Sequence, residues 1–337
     1  MANLLLIGDP HLKKKKSFEY TPLLTALKRY ILENRSKIDG VGIMGDLVDA
    51  HEVIDMTAKC DAEEMIFEIS QEMKIPVIKL TGNHDRRNNA EFLNHYSAFY
   101  GLSHTPNVYL VDRPMVISIK SKSILALPYI PKNRLDEALE VSKLDLSKIR
   151  VGLSHQEYRG SVYNKKLSED GDIWKNHDIR IYNGHIHDYG RPQPNVINIG
   201  TPHQISFAES EDKALMLVHI PEDDTEAITE ERIYLDLPKK ISLTLPVQEA
   251  YKWNKPGNDY YKLTITGTAA ELAVFKKSEQ WTKLRESGVV IKKMDHEEQH
   301  FDRYRKTEKK IYLHRLEEFV GYDKLQLEWH HRCFPEI

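Results

Sequence analysis

A set of side chains able to bind divalent cations or move protons recurs in the first two-thirds of the chain, in pairs and short runs. Asp9 and His11 flank Pro10. Asp46 and Asp49 follow Gly45. Asn83, His84 and Asp85 follow Gly82. His155 follows Ser154, and His185 and His187 flank Ile186. Asp-x-His and His-x-His put both ligands on one side of an extended backbone, and the glycines let the chain turn sharply beside a ligand. Pooled, the set is carboxylates, imidazoles and one carboxamide, without a thiolate. Such donors suit manganese, iron or zinc rather than a structural zinc site. Seven or more ligands are too many for one ion; they fit a pair of ions roughly 3.5–4 Å apart, clamping the attacking and leaving oxygens of a phosphate ester.

The elements that must position these residues are short apolar runs, and five of them end in a polar cluster. Leu6-Ile7 leads into Gly8-Asp9, Ile43-Met44 into Gly45-Asp46, Lys79-Leu80 into Thr81-Gly82-Asn83, Gly152-Leu153 into Ser154-His155, and Ile181-Tyr182 into Asn183-Gly184-His185. Groups gathered outside the carboxyl ends of strands are where α/β sheets build sites. Each cluster alone has an ordinary reading as a turn; five in series, each after a strand, do not.

Strands are expected at 4–7, 41–44, 77–80, 108–111, 115–119, 124–127, 150–153, 179–182, 196–199 and 215–220. Helices are expected from Thr21-Pro22, with Thr as N-cap and Pro at the first position, and at 53–73, 90–100 and 134–143. This alternation predicts an α/β fold with mixed sheets. After the polar break Pro221-Glu222-Asp223-Asp224, residues 241–247 alternate at period two. A compact β-α-β unit follows: a strand at 260–265, a capping box Thr268-Ala269-Ala270-Glu271 opening a helix that runs to Gly288, and a strand at 289–294.

The 337 residues accommodate one large and one smaller domain. A mean hydropathy of −0.54 predicts a soluble protein, and the apolar run at 4–7 is too short for a signal peptide or membrane span. Two distant cysteines, Cys60 and Cys333, make neither a disulfide framework nor a CxxC site, so a cytoplasmic setting is expected. The net charge of −3 is unlike the basic balance common in proteins that grip nucleic acid.

Taken together, D-x-H, G-D-x-x-D, G-N-H-D, an isolated His and G-H-x-H resemble the calcineurin-like metallophosphoesterase superfamily. The resemblance implies a sandwich of two mixed β-sheets flanked by helices. The stretch from Ile199-Gly200-Thr201-Pro202 to Glu209, with Asp212-Lys213, is similar to the SbcD-type nuclease subunit of double-strand-break processing, and the short tail to its phage-encoded members. That resemblance implies a nuclease domain at 1–238, a small α+β capping domain contacting DNA at 239–295, and a short helical tail at 296–337 that docks an SMC-like ATPase of the SbcC type. It further implies a homodimer and no membrane association. Asp9, His11, Asp46 and His187 would hold one ion and Asp46, Asn83, His155 and His185 the other, with Asp46 shared and manganese the usual metal. His84 would contact the scissile phosphate and protonate the leaving oxygen, and Asp49 would hydrogen-bond His84 and keep it protonated.

Lys13, Lys14, Lys15 and Lys16 directly follow the first ligand pair, and Arg86 and Arg87 follow the Asn-His run. Beside a metal site these are candidates for phosphate-backbone contacts. In the tail, Ile311, Leu316, Phe319 and Val320 are spaced as an apolar face. The leading expectation is a manganese-dependent DNA exonuclease and endonuclease. The rivals are a two-metal phosphodiesterase of nucleotides or phosphoproteins, and a non-catalytic scaffold. The full ligand set argues against the scaffold.

Overall fold

The computed structural model of the protein describes residues 1–13, 17–49, 53–163 and 166–295. The chain divides into two compact units, Met1–Lys239 and the residues from Lys240 onward.

In chain order the first unit comprises β1 (Ala2–Ile7), α1 (Ser17–Glu33), β2 (Gly40–Ile43), α2 (Met56–Phe67), β3 (Val77–Leu80), β4 (Val108–Val111), β5 (Met115–Ile119), β6 (Lys122–Ala126), α3 (Leu135–Ser142), β7 (Val151–Ser154), β8 (Val162–Tyr163), β9 (Lys166–Leu167), β10 (Arg180–Asn183), β11 (Gly190–Gln193), β12 (Val196–Asn198), β13 (Leu215–Ile220) and β14 (Thr229–Ile233). Two six-stranded mixed sheets result, ordered β14-β13-β1-β2-β3-β4 and β11-β12-β10-β7-β6-β5; β8 and β9 form a separate hairpin.

Residue alternation along the strands explains the layering. Leu4 and Leu6 of β1 face the second sheet, packing with Ile124, Val151, Leu153 and Tyr182. Leu5 and Ile7 face the other way, into a layer with Leu23 and Leu27 of α1 and Met65 and Ile66 of α2. On the far side, Leu125 and Ile181 meet Leu135 and Ala138 of α3. The central strands are therefore buried on both faces, which is why they read as continuous apolar runs. The fold is mixed α/β, a sandwich of two sheets with helices outside.

Register places the polar clusters on one edge. Strands β1, β2 and β3 are parallel, pairing Ile7 with Ile43 and Ile43 with Lys79. In the second sheet β7 and β10 are parallel, pairing Ser154 with Asn183. All five ligand-bearing segments follow the carboxyl ends of these strands.

Three expected elements differ. The helix α1 starts at Ser17 and carries Pro22 inside it, so Thr21 is not its cap. Residues 90–99 form no helix: Arg86 donates to the carbonyl oxygens of Glu91 and Tyr129, Asn88 accepts from the Ala90 N–H, and Leu93 has φ 24°. The α2 helix ends in a π-helical turn, Glu68–Glu72.

The second unit contains β15 (Lys240–Pro246), α4 (Val247–Ala250), β16 (Tyr260–Gly267), α5 (Ala269–Lys276), α6 (Glu279–Glu286) and β17 (Val290–Asp295). Its three strands are parallel, with β16 central, over a core of Leu263, Ile265, Leu272, Phe275 and Leu284. The Thr268 capping box opens α5. The expected single helix up to Gly288 is two, because Ser278 caps a second one by accepting from the Trp281 N–H.

Candidate active site

The first ligand loops are laced to each other by backbone hydrogen bonds. His11 and Leu12 donate to the carbonyl oxygens of Asp46 and Leu47, and the His84 N–H donates to Asp46 Oδ1 at 2.8 Å. Two glycines make room. A Cβ on Gly45, where φ is +112°, would lie 2.1 Å from His155 Nδ1, and one on Gly82 would lie 2.2 Å from Asp46 Oδ1. Three of the candidate ligands take left-handed backbone: His11 (φ 48°), Asp46 (φ 42°) and His185 (φ 67°). Left-handed non-glycine residues cost energy and persist only where surrounding structure holds them.

Three groups of donors converge. Asp9, His11 and His187 form one, Asp46, His155 and His185 a second, and His11, Asp49 and His84 a third that shares His11 with the first. His11 Nε2 is 3.1 Å from His187 Nε2, and His185 Nδ1 is 3.3 Å from His155 Nε2. Asn83 Oδ1 lies 3.0 Å from His155 and 2.9 Å from His185. Asp46 stands between the first two groups, its Oδ2 3.4 Å from His155 Nε2 and 3.7 Å from His11 Nε2. The fold thus brings Asp9, His11, Asp46, Asn83, His155, His185 and His187 close together.

Electrostatics keep these groups in unlike states. Burial lowers His11 to about 4, and burial with the neighbouring His155 lowers His185 to about 3, so both rings are neutral and carry lone pairs. Burial opposes charge on His155, but Asp46 and Asp9 outweigh it and raise it to about 9. Burial opposes ionisation of Asp46 too, yet His155, His11 and His84 hold its carboxyl well below the usual range. Asp9 is raised by burial, in part offset by His155.

The donors fit a pair of cations. Asp9 is buried, and neither of its carboxylate oxygens has a hydrogen-bond partner among the described residues, an omission that buried polar atoms rarely tolerate. The ring nitrogens point at one another, and the pocket they line, about 410 Å³, has no Lys or Arg among the described residues of its lining. Asp9, His11, Asp46 and His187 would hold one divalent ion, and Asp46, Asn83, His155 and His185 the other. Such ions, when bound, supply Lewis acidity and a nucleophile at neutral pH.

His84 lines the same pocket and lies with His11 and Asp49 in the third group, outside both expected ligand sets. Its Nδ1 is 3.3 Å from Asp49 Oδ1. Asp49 also faces His11 Nδ1 at 3.6 Å and pairs with Lys13. Lys13 therefore sits beside the site but is engaged there. Arg86 is no candidate for a DNA contact: it is buried, bonded to two backbone carbonyls and stacked near the Tyr129 ring. Arg87 is exposed, paired with Glu91 and packed on Tyr96. Lys14, Lys15, Lys16 and the tail 296–337 lie outside the described residues.

Three further residues serve the site. Glu209 accepts from His187 Nδ1 at 3.1 Å, from the Ile205 N–H at 2.9 Å, and faces Lys213 at 3.3 Å. Despite burial, His187 and Lys213 hold Glu209 at about 2. An ionised partner on Nδ1 leaves Nε2 of His187 for the ligand cluster. The Met44 carbonyl does the same for His155, 2.7 Å from Nδ1. Asp85 accepts from the N–H groups of Leu47 and Gly82, tying the second and third ligand loops together. Glu209 closes the stretch that begins at Ile199, but nothing in its spacing points to His187. Asp85, in contrast, is part of the Gly-Asn-His-Asp run.

Strands that deliver mixed oxygen and nitrogen donors to one edge of a sandwich, with Asp46 between two donor groups, give a site suited to divalent metal. The chain belongs to the calcineurin-like phosphoesterase family, whose model matches residues 2–197. It is 30% identical over 296 residues to "Putative phosphoesterase 078R" of Invertebrate iridescent virus 3, covering 86% of this chain and 83% of that one. It is 30% identical over 284 residues to "Putative phosphoesterase 244L" of Invertebrate iridescent virus 6, covering 82% and 98%. A hypothetical protein from Thermus thermophilus superposes at a TM-score of 0.38 with 15% identity, over 68% of this chain and 98% of that one. The protein is a phosphoesterase of a family that uses divalent metals. Among the described residues no helix is long and apolar enough to cross a membrane.

Proposed function

We propose that this phosphoesterase cleaves phosphodiesters in DNA as a manganese-dependent exonuclease and endonuclease, working at DNA ends with an SMC-like ATPase. The observation that carries the diesterase reading is His84, which lines the pocket with Nδ1 held by Asp49 while both ligand groups converge beside it. A diester needs a proton on its leaving oxygen, and an imidazole steadied by a carboxylate is suited to give one. Divalent ions held by the ligand groups would supply the positive charge that a phosphate in the pocket needs.

Support for the DNA substrate comes from the segment 199–209 with Asp212-Lys213, similar to the SbcD-type subunit, and from a second unit with its own core, which a minimal small-substrate enzyme does not need. The capping role of that unit, ATPase docking through the tail, a homodimer and a cytoplasmic setting belong to the same proposal. The iridescent-virus relatives favour a virus- or phage-borne origin.

The test is degradation of an end-labelled linear duplex with Mn²⁺, beside Mg²⁺, EDTA and His84→Ala. Mn²⁺-dependent digestion lost in the variant is expected. Hydrolysis of a generic diester with no digestion, even after the ATPase subunit is added, would overturn the DNA assignment.

A further inference from the structure

The pocket is lined by two chemically unlike sets of side chains. One is the candidate ligands with His84. The other is Glu157, Tyr163 and Ser168, with Ile186 and Ile205. Ser168 Oγ donates to Glu157 Oε1 at 2.6 Å. Tyr163 lies on β8 of the short hairpin, paired with Lys166 across from it. Its ring centroid is 6.3 Å from that of His187, with the planes at 76°. Tyr163 is 52% exposed, and an aromatic ring held on a strand beside a catalytic pocket presents a face for another ring.

The volume of about 410 Å³ exceeds what one phosphate fills and falls in the range of sites for small organic ligands. In this second set Glu157 accepts from Ser168 and faces Lys132 at 3.6 Å, so its carboxylate is already engaged. A flat, uncharged, hydrogen-bonding group attached to the phosphate fits the tyrosine ring, the two isoleucines and the Ser168–Glu157 pair.

We propose that Tyr163 is the platform on which the nucleobase next to the scissile phosphate stacks, making nucleoside phosphodiesters the substrate class of this site. The proposal rests on the phosphodiesterase reading above. Stacking of a base on an aromatic side chain tolerates any base identity, so the platform selects nucleosides without selecting sequence.

Two substrates with the same leaving group separate the two readings: thymidine 5′-(p-nitrophenyl) phosphate and methyl p-nitrophenyl phosphate. With Mn²⁺, the ratio of their kcat/KM values is measured for the wild type, Tyr163→Ala and Tyr163→Phe. We expect the ratio to favour the thymidine ester, to fall about tenfold in Tyr163→Ala through KM, as for loss of one stacked base, and to persist in Tyr163→Phe. An equal loss on both substrates, or an unchanged ratio, overturns the platform. If the wild type hydrolyses neither ester, the phosphodiesterase reading fails and binding decides the platform. Thymidine 5′-monophosphate titrated with Ca²⁺ present should then bind the wild type more tightly than Tyr163→Ala, and equal affinities overturn it.

Discussion

The ammonium of Lys79 and the carboxylate of Asp85 lie 2.6 Å apart with both side chains wholly buried. The pair sits behind the ligand loops, and the same carboxylate accepts the N–H groups of Leu47 and Gly82 at 3.1 and 2.9 Å. A buried pair broken on one side leaves an uncompensated charge, which costs about 3–5 kcal/mol. Asp85→Ala should therefore lose stability of that order in chemical denaturation. The double variant Lys79→Met/Asp85→Leu should recover most of the stability, but its affinity for Mn²⁺ should stay reduced because the loops have lost their shared acceptor.

His84 and Asp49 should separate chemistry from ligation. His84→Ala should lower kcat about 10²–10⁴-fold, with Mn²⁺ affinity by calorimetry staying close to that of the wild type. Asp49→Asn should alter the pH–rate profile; an unchanged profile would remove Asp49 from the role of partner to His84.

Glu209→Gln replaces the charged acceptor on His187 by a neutral one. Outer partners of ligating histidines typically support metal affinity by about 10–100-fold, so Mn²⁺ binding should weaken to that extent. The melting temperature without metal should move little, since the Ile205 N–H keeps an amide acceptor.

Asp172 anchors the segment that carries Glu157 and Tyr163, its backbone N–H donating to the Glu157 carbonyl at 2.9 Å. Burial raises its carboxyl from 3.8 to about 6. The folded state then binds the proton more tightly than the unfolded chain, so stability falls as pH rises between these values and the cost is complete above them. Asp172→Asn should stabilise the protein by about 1–3 kcal/mol near pH 7 and leave it unchanged near pH 4. Paired thermal melts at the two pH values check this.

The site was largely legible because its ligands follow strands whose apolar runs are unmistakable: Leu6-Ile7 before Asp9, Tyr182 before His185. Parallel register then brings distant segments to one edge. What escaped the sequence depends on tertiary contacts. Glu209 lies in the stretch from Ile199, but its role lies in reaching His187, 22 residues earlier. Arg86 looks like a surface cation beside a motif, yet burial and two carbonyl acceptors make it a brace. Residues 90–99 have apolar spacing suited to a helix, but the same guanidinium takes the Glu91 carbonyl, and tertiary bonding overrides propensity.

The left-handed backbone at Asp46 has a practical consequence. Asn and Asp are among the few side chains that tolerate φ near +50°, and an Asn oxygen can still accept the His84 N–H that Asp46 Oδ1 now takes. Asp46→Asn is thus the one exchange at the shared position that keeps loop shape while deleting charge. Ala would discard both, and Glu would preserve charge on a backbone that resists it. A folded, inert version of the protein, suited to capturing an uncut substrate for structural work, is one atom away from the native chain.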